Sequence, residues 1–429
     1  MNICMFTNTY APHVGGVARS VEFFAEDLRS LGNKVLVIAP SFPESVEGED
    51  AEKVQRVPAI QNFNGSDFSV GIAVPFALAE RIKSFQPDVI HSHHPYLLGD
   101  AALRTARRYG LPLIFTHHTL YEKYTHYVPL DSETMKRFVI NLSTEYSNLC
   151  TSVVAPSRSI AELLRKRGVT TPIEEIPTGI DLDFFRQGRK ERFFSDNRFH
   201  GEKPIIGHVG RLAPEKNLAY LAEAVAGYLT RSRGTFLVVG EGSSDKDILQ
   251  IFQDHDVEHK LLLAGKKSGQ ALSDAYSAMD LFVFSSKTET QGMVLVEAMA
   301  AGRPVIALDA SGAREVVRDG FNGRLLNEDA SEKEFGRAIE AFFEDHEAGR
   351  KWGRGAKKTA QSHSRSIMAK KLATLYESAL MVQPKPDASP DELVILDRVL
   401  RGLKAEWDLI TEKATASVQA FTHRDFDKS

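Results

Sequence analysis

The sequence predicts an α/β protein of two successive doubly wound, Rossmann-like domains facing a cleft, followed by a C-terminal helical extension. Three observations predict it. The chain has 429 residues, too many for one ordinary core when domains run to roughly 100–200 residues. Short apolar runs alternate with amphipathic helical patterns, as parallel strands joined by crossover helices require. The alternation breaks near residue 180, passes through a charged irregular stretch, and restarts at residue 204.

In the first half, residues 2–6 read as a strand, and Gly15-Gly16 leads into a helix over 17–31 that Gly32 stops. Further strands are expected at 34–39, 88–91, 113–116 and 153–155. In the second half, strands are expected at 204–210, 235–239, 261–264, 281–285 and 304–307, with a helix over 217–229. The expected division is a first domain over 1–180, a linker over 181–203, and a second domain over 204–365. A helix over 366–381 returns to the first domain, and residues 382–429 form a proline-rich linker and helical extension. In that extension Ser389-Pro390-Asp391-Glu392 has the pattern of a capped helix start. Leu393, Leu396, Leu400, Leu403, Trp407, Ile410 and Ala414 follow near helical spacing, an apolar face that docks on its own chain or forms a partner or dimer contact.

Composition excludes several classes. A net charge of −4 carries no global signature of nucleic-acid binding. Two cysteines, Cys4 and Cys150, give no disulfide framework and favour a reducing cytosol. No stretch approaches the roughly 20 apolar residues of a membrane span, so any membrane contact is expected to be peripheral, on the inner face.

The residues with chemistry cluster after predicted strands. Glu289 and Glu297 flank Gly292-Met293-Val294, where glycine opens a tight turn into a helix. Exposed N–H groups at such a start attract anions. Glu297 is placed to accept hydrogen bonds from a ribose, and Glu289 from sugar hydroxyls. The competing reading is two solvated surface glutamates. Gly210-Arg211 and Lys216-Asn217 follow another strand. Arginine offers a planar fork to phosphate oxygens and lysine a mobile point charge. Together they can stabilise a diphosphate leaving group without a metal.

Four blocks, Gly15-Gly16-Val17, Gly210-Arg211 with Lys216-Asn217, Gly240-Glu241-Gly242, and Glu289 to Glu297, together resemble the GT-B retaining glycosyltransferases of the large family 4, or glycosyltransferase group 1. The resemblance covers roughly residues 1–380. It implies a nucleotide-diphosphate sugar as donor substrate, with no cofactor and no metal. It implies that Arg211 and Lys216 bind the diphosphate, Glu297 the ribose, and Glu289 the donor sugar, with backbone contacts from Gly292, Met293 and Val294. It puts Gly15, Gly16, Gly210, Gly240 and Gly242 against the donor, and Gly265 and Lys266 near the base. It matches His118 to the histidine facing the transferred sugar, with His117 a packed neighbour. Asp181-Leu182-Asp183 mimics a metal-binding pair, but the family uses that block structurally. The group His91, His93 and His94 has poor metal-ligand spacing.

The segment from His91 to Gly99 and that from Phe115 to Tyr124 are similar to bacterial diacylglycerol glucosyltransferases. Tyr121, Tyr124, His126, Tyr127 and Pro129 make an amphipathic aromatic run suited to a membrane interface, and Arg104, Arg107 and Arg108 a basic cluster suited to anionic headgroups. UDP-glucose is the expected donor and a membrane lipid such as diacylglycerol the expected acceptor, with a soluble sugar or sugar phosphate as alternative. A sugar-nucleotide epimerase is the alternative of another class. A dehydrogenase is disfavoured, because Gly15-Gly16-Val17 departs from a dinucleotide fingerprint and Ala39-Pro40 stands where an acidic residue belongs.

Overall fold

A computed structural model describes residues 1–12, 15–42, 51–60, 70–71, 75–123, 132–197 and 201–382. Tyr124, His126, Tyr127, Pro129 and the extension over 383–429 lie outside them. The chain forms two units, one of Met1–Thr178 with the chain from Met368 onward, the other of Gly179–Ile367.

Unit 1 is built on β1 (Asn2–Phe6), β2 (Lys34–Pro40), β3 (Val54–Val57), the small pair β4 (Ala59–Ile60) and β5 (Val70–Gly71), then β6 (Val89–Ser92), β7 (Leu113–Thr116), β8 (Ser152–Ala155) and β9 (Ile173–Glu175). β4 and β5 pair with each other; the rest form one seven-stranded sheet in the order β3-β2-β1-β6-β7-β8-β9. Each pairing in that sheet is parallel. Side chains alternate across it, so Cys4 and Phe6 enter one apolar layer while Ile3 and Met5 enter the other. The second layer is closed by Val21, Phe24 and Leu28 of the helix Gly16–Ser30. It also takes Met368, Leu372 and Tyr376 of the helix Arg365–Val382.

Unit 2 repeats the design with β10 (Ile205–Val209), β11 (Thr235–Val239), β12 (Leu261–Leu263), β13 (Leu281–Phe284), β14 (Val305–Leu308) and β15 (Gly323–Leu326). Their order is β12-β11-β10-β13-β14-β15, again all parallel. In both sheets the order reverses beside the first strand, at β1/β6 and at β10/β13, the doubly wound arrangement.

The structure changes the reading of residues 181–203. They carry two helices, Leu182–Arg186 and Lys190–Asp196, rather than an irregular linker. Phe185 and Phe193 are buried in the unit 2 core beside Leu272 and Tyr276. Asp274, on the helix Gly269–Ala278, accepts from the Arg192 guanidinium at 2.8 Å and from the Arg189 amide at 2.7 Å. The dense charge here is the solvent face of short amphipathic helices whose apolar positions are too few to show a period. Asp181 is the N-cap, its Oδ1 accepting from Phe184 N at 2.9 Å. Asp183 lies 3.6 Å from Arg186. β9 falls in a stretch read as turn-rich, and β3 and β15 were not anticipated; all three are short edge strands.

A layer of buried histidines crosses unit 1 at the carboxyl end of its sheet. The His91 ring nitrogens lie 2.6 Å from the Tyr376 hydroxyl and 2.7 Å from Thr116 Oγ1. His94 Nδ1 accepts from Asn8 N at 3.1 Å. Burial pulls His91 and His94 down to about 3 and His117 to about 4, so all three are neutral. Unfolded imidazoles titrate near ~6.5. Above that pH both states are neutral and the full stability is present. As pH falls from there toward the folded values, the unfolded chain takes up protons that the folded chain does not, and stability is lost.

Two outcomes are expected. The melting temperature falls between pH 7.5 and pH 5, and His91→Gln flattens that slope while lowering the value at pH 7.5; calorimetry across the pH series reads both. Gly240→Ala lowers the melting temperature by several degrees, because a Cβ there would stand 1.8 Å from Gly210 O on a backbone at φ +150°. Strain of that kind costs about 1–3 kcal/mol.

Candidate active site

In unit 2 the loops after β10 and β13 flank the reversal point, where parallel sheets leave a crevice for ligands. They are stitched together. Asn217, at φ +56°, ends the short turn Pro214–Lys216. Its Nδ2 donates to Ser285 O at 3.3 Å, and Ser285 Oγ donates back to Asn217 O at 2.9 Å. Thr288 Oγ1 donates to Glu215 O at 3.2 Å. Across this seam Lys216 Nζ meets Glu289 Oε1 at 2.5 Å, both side chains largely sheltered. Arg211 Nη2 pairs with Glu215. The structure therefore brings Arg211, Lys216 and Glu289 to one edge of one sheet.

Gly292, at φ +71°, opens the helix Met293–Ala300. A Cβ on it would press on Leu295 and on Gly312 O. The first-turn amides of that helix, Met293 and Val294 among them, have no partner within the helix. Glu297 sits in the second turn, 3 % exposed, and its Oε2 accepts from the Tyr276 hydroxyl at 2.8 Å. The reading of Glu289 and Glu297 as solvated surface residues is therefore excluded. Gly240 and Gly242 bring the loop after β11 onto that after β10. Gly240 N donates to Gly265 O at 3.0 Å, and a Cβ on Gly242 would stand 2.2 Å from Leu212 O. Lys266 N donates to Glu241 Oε1 at 3.4 Å.

Sequence reasoning gave no role to His208, Asn217, Ser285, Thr288 or Tyr276. His208 lies on β10 with Nδ1 donating to Val283 O at 3.1 Å, and burial pulls it to about 4, so a neutral ring lies in this edge of the sheet. For His208, Asn217, Ser285 and Thr288 the signal is position, polar residues at or past strand ends among apolar runs; Tyr276 lies within the helix Gly269–Ala278 and carries no such signal.

In unit 1 the loops after β1 and β6 are joined by Asn8. Its Nδ2 donates to Tyr96 O at 3.1 Å and its Oδ1 accepts from Leu98 N at 3.1 Å. Arg56 reaches from β3 to donate to Ala11 O at 2.5 Å and Pro40 O at 2.9 Å, with its guanidinium over the Tyr10 ring. Gly15 is the N-cap of the helix Gly16–Ser30, with no side-chain acceptor for the first-turn amides. Among the described residues a Cβ on Gly16 would meet nothing within 4 Å, so none of them demands glycine there.

His117 and His118 follow β7. His117 is fully buried, with neither ring nitrogen within hydrogen-bond reach of a group among the described residues. His118 is half-buried, its Nε2 2.9 Å from His93 Nδ1. Burial and the neighbouring His94, His91 and His117 rings hold His118 well below the usual imidazole range. Tyr121 packs edge-on to Tyr96 and His117, and burial raises its hydroxyl well above the usual range. Beside it Glu122 and Arg167 form a buried ion pair at 2.7 Å. Of the basic cluster, Arg104 and Arg108 are exposed, whereas Arg107 is half-buried and donates to Leu149 O. No described helix is long and apolar enough to cross a membrane.

The chain also resembles known proteins along both units. Residues 14–184 match Glycosyltransferase Family 4 and residues 189–359 match Glycosyl transferases group 1. A GDP-mannose-dependent alpha-mannosyltransferase of Mycobacterium tuberculosis is 30% identical over 76% of this chain and 84% of its own. An alpha-monoglucosyldiacylglycerol synthase of Streptococcus pneumoniae is 29% identical over 76% of this chain and 75% of its own. Among solved structures, a sucrose-phosphate synthase of Thermosynechococcus elongatus superposes with a TM-score of 0.72 at 21% identity, covering 89% of this chain and 99% of that one. With a GT-B fold, paired switch-point loops and matches along both units, the chain belongs to glycosyltransferase family 4 of the group 1 transferases and transfers a sugar from a nucleotide-sugar donor.

Proposed function

We propose that the protein is a retaining, metal-independent hexosyltransferase that moves glucose from UDP-glucose to diacylglycerol or another membrane lipid. The observation that carries the chemistry is the Lys216–Glu289 contact across the β10 and β13 loops, with Arg211 on the same edge. Two cations there supply the charge a divalent ion would otherwise bring to a departing diphosphate. Both are paired with carboxylates, so the diphosphate competes with Glu289 for Lys216 and with Glu215 for Arg211. Glu289 then accepts from sugar hydroxyls, the Met293 and Val294 amides face the donor, and Glu297 meets the ribose. No cofactor is needed.

In the transfer step the bond from the anomeric carbon to the β-phosphate oxygen breaks. The acceptor hydroxyl oxygen bonds to the same face of that carbon, and its proton passes to the departing phosphate oxygen. The protein's part is to hold these groups and to stabilise the charge on the leaving diphosphate. His118 contributes as a neutral hydrogen-bonding ring, and the open space over Gly16 fits close approach of a ligand to the backbone.

The lipid acceptor is supported by the similarity to alpha-monoglucosyldiacylglycerol synthases from two organisms and by exposed Arg104 and Arg108. On this reading the enzyme works at the inner face of the membrane as a peripheral protein. A second reading, GDP-mannose as donor, is favoured by the 30% identity to a GDP-mannose-dependent relative.

Transfer assays in EDTA with a panel of nucleotide sugars, with and without diacylglycerol micelles, should place radiolabel from UDP-glucose on lipid. Label from GDP-mannose alone would move the donor assignment to the second reading, and label only on soluble acceptors would remove the lipid. Lys216→Ala should lower kcat by about 100-fold or more, the loss typical of removing one charge-stabilising donor, with an unchanged melting curve. Near wild-type turnover would overturn the site. Gly16→Ala should also lose turnover with an unchanged melting curve, in contrast to Gly240→Ala. Co-sedimentation with phosphatidylglycerol vesicles at low salt is expected, and none at all would exclude the membrane contact.

A further inference from the structure

Behind His118 stands His93, one residue past β6 and fully buried. The two rings stack with centroids 5.2 Å apart and planes 22° apart, and His93 Nδ1 lies 2.9 Å from His118 Nε2. On its other side His93 leans on His91, at 4.1 Å between centroids. His91 is itself fixed by the Tyr376 hydroxyl and Thr116. His93 therefore has a held position, and through it so does His118.

A hydrogen bond between two imidazole nitrogens uses one proton. Burial, with His91, His118 and His94 around it, holds His93 neutral, and His118 is held neutral by burial and its own neighbours. Each ring then carries one proton, and only two arrangements remain. If His118 donates from Nε2, the proton of His93 must sit on its Nε2. That atom is buried with no group of the described residues in hydrogen-bond reach, which would strand an N–H without an acceptor. If His93 donates from Nδ1, its Nε2 keeps only a bare lone pair. Orphaned buried N–H groups are the rarer of the two defects.

We propose that His93 is a positioning residue that donates Nδ1–H to His118 Nε2 and so fixes His118 as the tautomer protonated at Nδ1. With Nε2 occupied as an acceptor, the remaining ring nitrogen of His118 carries its proton. Toward the transferred sugar His118 then stands as a hydrogen-bond donor and not as a base. The functional half of this inference rests on the reading of His118 as the unit 1 residue that meets the sugar; the tautomer does not.

The test is long-range proton–nitrogen NMR on the full chain labelled with ¹⁵N-histidine at pH 7, with His118 and His93 assigned by the signals lost in His118→Asn and His93→Asn. Both rings should show a protonated Nδ1 and a bare Nε2. A His118 protonated at Nε2, or on both nitrogens, overturns the proposal. His93→Leu should release His118 to a mixture of tautomers and lower kcat by about tenfold, the effect of one misplaced hydrogen bond. His93→Asn, which keeps an N–H near the Nδ1 position, should hold the His118 tautomer and most of the turnover. If His93→Leu fails to fold, the wild-type and His93→Asn spectra still decide the tautomer. If the tautomer is lost in His93→Leu and turnover is unchanged, the positioning stands and the sugar-facing reading of His118 falls.

Discussion

The reversal of strand order beside β10 is the constraint on which the chemistry of unit 2 depends. In a parallel sheet every strand leaves at the same edge. Where neighbouring crossovers pass to opposite faces, the two loops splay and leave a crevice. β10 and β13 are such neighbours. The loop after one carries Arg211 and Lys216, and the loop after the other carries Glu289 and Gly292. Splayed loops would be mobile unless tied, and Asn217, Ser285 and Thr288 tie them through backbone carbonyls. Polar side chains at strand ends thus give a sheet edge the rigidity that a charge-stabilising site requires.

Glycine has two meanings in this molecule. At Gly240, Gly242 and Gly292 a Cβ would run into the chain itself, so the residue is set by how closely two loops approach. At Gly16 a Cβ meets nothing among the described residues, and the absence of a side chain leaves space over a helix start instead. The first kind supports the loops from behind, and the second keeps a surface open. Substitution at the two kinds therefore separates stability from function.

Much of this was legible in the sequence because it is periodic. The strands of both sheets near the reversal points are apolar runs buried on both faces, and they stand out against amphipathic helices. Arg211, Lys216 and Glu289 stand out because each falls in the loop that follows such a run, and Glu297 because it is a carboxylate inside the apolar helix Met293–Ala300. The helices of residues 182–196 were not, because a helix of five or seven residues shows too few apolar positions for a period, and Phe185 and Phe193 look like isolated aromatics until the core is seen. His93 was not legible either. Its importance lies in a contact with His118 that links two strands distant in sequence, and no spacing within either segment encodes which nitrogen faces which.

The two units divide the electrostatics. Unit 2 holds its charges partly exposed and already paired, Lys216 with Glu289 and Arg211 with Glu215. A pair with an exposed arginine, such as Arg211 with Glu215, is worth little, and an anion of higher charge density can take that cation over. Unit 1 presents a wall of imidazoles that burial keeps neutral. A neutral wall keeps its hydrogen-bonding pattern as pH varies around neutrality. On the proposed transfer, in which the departing diphosphate accepts the proton, mobile positive charge serves the leaving group, and uncharged hydrogen-bonding rings serve a sugar without supplying a competing base.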